Sequence, residues 1–193
     1  MKNLYKISFI LAVASLPFIA GVQNPTGKAG YTGSPSENDC TNCHSTYNSN
    51  SGAGSVTITS DMVNWQYTPG TQYTINVTVA YTGKSNWGMG FEALLPSGAN
   101  AGTLAAGTGT TLKNATVGGN SRRNVCQSSM ASGANSKTFT FHWTAPVAGT
   151  GNLHFYAVGM AANGGGNENS DYVYTTSHVK WYKHSRCFRY HRH

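Results

Sequence analysis

Gln72-Tyr73-Thr74-Ile75-Asn76-Val77-Thr78-Val79-Ala80-Tyr81-Thr82 alternates with period two. Tyr73, Ile75, Val77, Val79 and Tyr81 fall on one face of an extended chain. Thr74, Asn76 and Thr78 fall on the other, because successive strand side chains point to opposite sides. This is the pattern of a half-buried strand, and Pro69-Gly70 just before it is turn punctuation. The same period recurs in Phe139, Phe141 and Trp143, and again in Leu153, Phe155 and Ala157. Further strands are predicted over Ser55–Thr59, Gly90–Leu95, Thr110–Ala115, Arg123–Ser128, Thr138–Trp143, Leu153–Val158 and Tyr172–Trp181. Gly, Asn, Ser and Pro fill the gaps between them. No apolar stripe of helical period follows the first residues, so the reading is an all-β protein, an antiparallel β-sandwich.

Outward from the strands, the chain divides into four parts. Lys2 and Lys6 precede an apolar run from Ile7 to Ala20, too short for a spanning helix, and predict a secretory signal peptide over residues 1–21. An uncleaved anchor is the alternative. No Cys follows the run, so a lipoprotein anchor is not expected, and no second stretch is apolar enough to span a bilayer. Residues 22–54 are polar and rich in Gly and Ser, an irregular segment wrapped on the domain. Residues 55–179 form the sandwich, and residues 180–193 a basic, His-rich tail read as a disordered terminus or a binder of anionic surfaces.

The formal charge of +7 belongs to the ends. Between Val22 and His178, six Lys and Arg are matched by six Asp and Glu. A body with no basic stripe excludes nucleic acid as a partner. Its few carboxylates show no spacing that suggests a general acid–base pair.

Cys40-Thr41-Asn42-Cys43-His44 is the C-x-x-C-H pattern of covalent haem attachment. Two thiols add to the two vinyl groups of one haem c, the two-residue spacer sets the sulfur separation, and His44 reaches the iron as proximal ligand. A thioredoxin-like pair would need a βαβ setting, and a zinc site a second ligand pair; neither is present. A disulfide is the remaining alternative. Met130 is a candidate distal ligand, since a thioether can complete a His/Met haem; a loop Met without a role is the competing reading. Met89 and Met160 read as packing residues. His142 and His154 fall out of phase with the apolar faces of their strands and read as solvent-facing, although the short loop between them would let them meet across a hairpin. Cys126 and Cys187 are left over and could pair in an oxidising compartment.

Gly30-Tyr31-Thr32-Gly33-Ser34-Pro35 ahead of the Cys motif resembles a family of exported bacterial proteins, the choice-of-anchor V proteins, related to the Reeler domain. Tyr67-Thr68-Pro69-Gly70, Gly90-Phe91-Glu92-Ala93, Ala101-Gly102-Thr103-Leu104 and Trp143-Thr144-Ala145-Pro146 carry the likeness further. So do Phe155-Tyr156-Ala157, Ala161-Ala162-Asn163-Gly164 and Asp171-Tyr172-Val173-Tyr174-Thr175. The resemblance runs from about Gly30 to Val179. It implies an immunoglobulin-like, Reeler-like sandwich with one haem, exported and often surface-attached. It also implies a distal His in the stretch matching Val125-Cys126-Gln127-Ser128, where this chain has Gln127.

Function is therefore expected to be that of an extracytoplasmic monohaem cytochrome-like protein in the periplasm, on the outer surface or outside the cell. It would carry electrons to or from redox partner proteins or cell-surface components, with self-association open. The alternative is a Reeler-like adhesion or binding module with a structural haem. An open-site haem enzyme or gas binder is a third option, and no catalytic acid–base set supports it.

Overall fold

The computed structural model describes residues 26–165 and 167–182. The signal sequence expected over 1–21, Cys187 and most of the basic tail lie outside them. Eleven strands are present among the described residues: β1 (Ser55–Ser60), β2 (Gln66–Tyr67), β3 (Gln72–Ala80), β4 (Asn86–Leu94), β5 (Thr103–Ala105), β6 (Thr110–Val117), β7 (Asn120–Gln127), β8 (Ala131–Ser132), β9 (Ser136–Thr144), β10 (Leu153–Ala162) and β11 (Tyr172–Tyr182). They form two sheets. The smaller runs β1-β3-β9-β5 and the larger β2-β11-β10-β4-β7-β6, with β8 on β4. All pairings are antiparallel except the short parallel pair of β2 and β11. The molecule is thus the all-β sandwich that the alternating sequence dictates.

The inward positions of β3 and β9 are Ile75, Val77, Val79, Phe139, Phe141 and Trp143, all buried. They meet Phe91, Val125, Phe155 and Ala157 of the larger sheet. Phe91 packs on Phe141 and Phe155 at ring separations of 4.8 and 5.1 Å, and Trp143 packs edge-on to Phe155 at 4.9 Å. The Trp143 indole N–H donates to the Ala101 carbonyl at 2.7 Å, so its one polar atom is satisfied in the core. Each fully buried side chain of this size contributes about 1.5–3 kcal/mol relative to exposure.

Two expectations change here. The short loop from Ala145 to Asn152 is not a hairpin turn: β9 and β10 belong to opposite sheets, so His142 and His154 face opposite sides of the molecule. A loop crossing between layers is as short as one joining neighbours, and loop length alone does not separate the two. Strand β11 also runs to Tyr182, which takes Lys180 into the sandwich. Its ammonium is fully buried, 3.8 Å from the Trp65 ring centre and 4.3 Å from that of Phe155, and burial pulls its pKa down to about 7.

Candidate functional site

The outward face of the larger sheet is covered. The irregular segment from Thr26 to Gly54 crosses it from β6 and β7 toward β11. Gly30 N–H donates to Asn124 on β7 at 3.0 Å, and the Thr32 hydroxyl donates to Glu92 on β4 at 2.8 Å. Asn50 N–H donates to the Val173 carbonyl on β11 at 2.8 Å, and its side chain pairs with Thr175 at 2.9 Å in both directions. Gly90 lets the segment come close: a Cβ there would stand 3.0 Å from Val158 and 3.7 Å from Thr32.

Beneath this segment lies a buried charged cluster that spacing did not reveal. The Arg122 guanidinium lies 3.5 Å from Glu37 and 3.6 Å from Glu92, and donates to the Ser34 hydroxyl at 2.9 Å. Asn124 donates to Glu92 at 3.1 Å. Burial, with the Glu37 charge beside it, pushes the Glu92 carboxyl above its usual range, against the lowering by its hydroxyl donors and Arg122. Glu37 and Glu92 are 55 positions apart in sequence, so no local spacing announces that they meet.

The Cys motif sits on one turn. Residues Cys40–Asn42 form a single 3-10 turn capped by Asp39, whose carboxylate accepts from Thr41 N–H at 2.8 Å. His44 N–H closes onto the Cys40 carbonyl at 2.9 Å. Cys40 is half-buried, Cys43 is exposed, and both thiols are free. Burial of its sulfur pushes the Cys40 thiol up to about 12, with Asp39, Cys126 and Cys43 adding to the rise. A lowered pKa favours a reactive thiolate, and burial of Cys40 works against it. Cys126, buried on β7 beneath the segment, is likewise raised to about 11 by burial.

His44 is fixed by a residue sequence reasoning missed. Its Nδ1 lies 2.8 Å from a carboxylate oxygen of Asp171, at the start of β11. Asp171 is buried, and its other oxygen accepts from Asn163 N–H at 2.9 Å. A histidine whose Nδ1 is held by a carboxylate presents Nε2 for coordination and gains basicity. Tyr47, three residues on, stacks on Tyr172 with ring centres 4.1 Å apart and planes 6° from parallel, which fixes the exit of the motif. Two unpaired thiols on one turn, followed by a histidine whose Nε2 has no partner among the described residues, are the donor set that a covalent haem would use. Met130 is 56% exposed and directly precedes β8, whose Ala131 pairs with Trp87, so it lies beside Gly88 of β4. Gln127 points over β4, where its side-chain oxygen accepts from Met89 N–H at 2.8 Å. Among the described residues, no group of three or more His, Cys, Asp or Glu converges to hold a bare metal ion. None of their helices is long and apolar enough to cross a membrane.

Fold and site together define a β-sandwich module with a C-x-x-C-H turn seated at the edge of a covered sheet face. No protein-family model matches the chain, and no curated protein matches it. Among solved structures the chain is similar to the Reelin-N domain of F-spondin, at 16% identity over 73% of this chain and 95% of that one, with a TM-score of 0.49. The human F-spondin reeler domain is similar at 17% identity over 70% and 92%, with a TM-score of 0.47. A cohesin module from a Clostridium perfringens family 33 glycoside hydrolase follows at 14% identity over 68% and 98%, with a TM-score of 0.45.

Proposed function

We propose that this protein is an exported monohaem module of the choice-of-anchor V kind, with haem c bound through Cys40 and Cys43 and ligated by His44, and that it carries electrons outside the cytoplasm. The observation that supports this most directly is the Asp171–His44 hydrogen bond of 2.8 Å. A carboxylate behind a histidine is the arrangement that orients a ligand and tunes it. When bound, the haem supplies one-electron exchange between ferric and ferrous iron. The chain's own residues do the rest. Asp39 shapes the turn, Asp171 orients the imidazole and holds its proton on Nδ1, and the clamped segment shields one side from water. Redox partner proteins or cell-surface components are the corresponding partners.

The test is mass. Protein matured with haem and then denatured retains one haem, and the double variant Cys40→Ala, Cys43→Ala loses it. A denatured wild type without the added mass defeats the proposal.

A second reading, a binding module in which haem is structural, has its own support. The outward face of the smaller sheet is mostly hydroxyls, Thr57 and Thr59 on β1, Thr78 on β3, Thr138 and Thr140 on β9, with Asn76 and His142 among them. Such a face suits adsorption to a surface. Potentiometric titration with a soluble redox protein present separates the two. Reversible titration with electron exchange supports the carrier; a haem that exchanges no electrons supports the binding module.

A further inference from the structure

The cluster beneath the attachment segment has two carboxyl groups and one cation. Glu37 comes from the segment and Glu92 from β4, and both side chains are fully buried. Arg122 on β7 lies between them, and a guanidinium does not give up its proton. With both carboxyls ionised, the cluster would bury a negative charge that nothing offsets, which a water-excluded site does not tolerate.

The hydrogen bonds say where the extra proton sits. The Thr32 hydroxyl oxygen lies 2.7 Å from Glu37 Oε2 and 2.8 Å from Glu92 Oε1. A hydroxyl has one proton and donates to one of them. The other carboxyl must bring a proton of its own, or lone pairs face each other at hydrogen-bond distance. Thr32 N–H also donates to Glu37 Oε2, at 2.8 Å, and a backbone N–H can only donate. Glu37 therefore keeps the charge, and its Oε1, without a hydrogen-bond partner, looks onto Arg122 at 3.5 Å. Glu92 is the acid. Its Oε2 accepts from the Asn124 amide at 3.1 Å, as a carbonyl oxygen does, and its Oε1 carries the proton toward Thr32. The Thr32 and Ser34 hydroxyls beside Glu92 can turn to accept, as Ser34 does from Arg122 at 2.9 Å. The chain runs from the Glu92 O–H to the Thr32 hydroxyl and on to the Glu37 carboxylate.

That chain crosses the joint between segment and sheet. Thr32, Ser34 and Glu37 belong to the segment, and Glu92, Arg122 and Asn124 to β4 and β7. The Asn124 amide that serves Glu92 also accepts from Gly30 N–H at 3.0 Å. We propose that the segment is latched to the sheet by a proton: docking protonates Glu92, and loss of that proton as the pH rises releases residues 30–37 from β4 and β7. One proton is taken from solvent when the segment seats and returned when it leaves, and no electron moves. The latch stands whether or not haem is attached. Burial raises the Glu92 carboxyl, in keeping with its role as the acid. Tyr156 on β10, the register partner of Glu92, and Cys126 on β7 are also raised by burial, Cys126 to about 11, so both stay neutral through this change. Lys113 on β6 is turned to Thr26 at 2.8 Å, and β11 sets Thr175 and Ser177 on this face, neither of them titratable. His154 stacks on Tyr156 with ring centres 5.9 Å apart and supplies a control.

The experiment uses the full-length chain with carbon-13 in the glutamate side-chain carboxyls of Glu37, Glu92 and Glu168. In wild type the Glu92 signal keeps its protonated shift above the ordinary glutamate range and then titrates. Hydrogen-exchange protection factors for residues 30–37, corrected for the intrinsic pH dependence of exchange, are level below that titration. Above it they fall by about tenfold per pH unit, the slope of one proton. Glu92→Gln, whose amide donates to Thr32 at any pH, abolishes the slope. Glu37→Gln leaves Arg122 to Glu92 alone, and Glu92 then ionises in the ordinary range, which checks the shared proton where the Glu92 variant folds poorly. His154→Gln leaves shift and slope unchanged. A wild-type Glu92 that ionises in the ordinary range, a titration unmoved in Glu37→Gln, or protection that stays level while Glu92 titrates overturns the latch. So does a slope that survives in Glu92→Gln or vanishes in His154→Gln.

Discussion

The two outward faces of this sandwich are built from opposite materials. The smaller sheet presents threonines and asparagine in register, with the Thr78 and Thr138 hydroxyls bonded at 2.8 Å and Thr140 donating to Asn76 at 2.7 Å. Its outward strand positions hold no Lys, Arg, Asp or Glu. The larger sheet gathers Glu92, Arg122 and Asn124, glycine at two outward positions, a thiol and a thioether, and covers them with 29 residues of irregular chain, Thr26 to Gly54. A body with only six carboxylates has placed two of them, with an arginine, under that cover. Hydroxyls in water cost little to expose. Buried charges are tolerated only where partners surround them. The difference therefore marks which face is specified by interactions with one particular piece of chain and which is left open.

The sharpest way to break this contrast is Arg122→Ala. It leaves Glu37 and Glu92 buried without their cation, and breaking one side of a buried pair costs about 3–5 kcal/mol. Urea unfolding reads this as a lowered midpoint, with earlier loss of protection in residues 26–54 by hydrogen exchange. A loss under 1 kcal/mol would mean the cover is held by its backbone contacts alone.

Asp171→Asn is expected to cost about 1–3 kcal/mol, because the His44 N–H and Asn163 N–H lose a charged acceptor. In haem-loaded protein it also raises the midpoint potential, since a less basic histidine stabilises ferric iron less well. A purely structural aspartate would change stability and leave the potential where it was.

The covered face also has a pH signature. The Glu92 carboxyl is raised in the folded state by burial, so between the ordinary glutamate range and the folded pKa the native protein binds more proton there than the unfolded chain. Stability contributed by this group is present below the ordinary glutamate range and declines as pH rises through the folded pKa. Glu92→Gln removes that part of the slope. Denaturation between mild acid and neutrality, wild type against variant, checks the sign.

The smallest effect belongs to the open face. Thr78→Ala with Thr140→Ala stays within about 0.5 kcal/mol of wild type, as surface changes usually do. A larger loss would show that the hydroxyl ladder holds the smaller sheet together.

Much of the architecture was legible in the sequence because a half-buried strand writes its own period. All eight predicted strands appear, most of them longer by a residue or more. The strands that were missed, β2, β5 and β8, are two or three residues long, too short to carry a period. Which sheet each strand joins was not legible, as the β9–β10 connection illustrates. At the site, Cys40, Cys43 and His44 were visible because they are contiguous. The role of Asp171 was not: it falls in a stretch that carries the resemblance, but it lies 127 residues from His44 and nothing local pairs the two.

The long separations under the attachment segment set an order of events during synthesis. Gly30 waits for Asn124, 94 residues later, and His44 waits for Asp171. Until β11 has been made, the Cys-containing turn has no carboxylate to hold its histidine and no completed floor beneath it. The Cys-containing turn is therefore made early and seated late, because its partners on β7 and β11 are made after it.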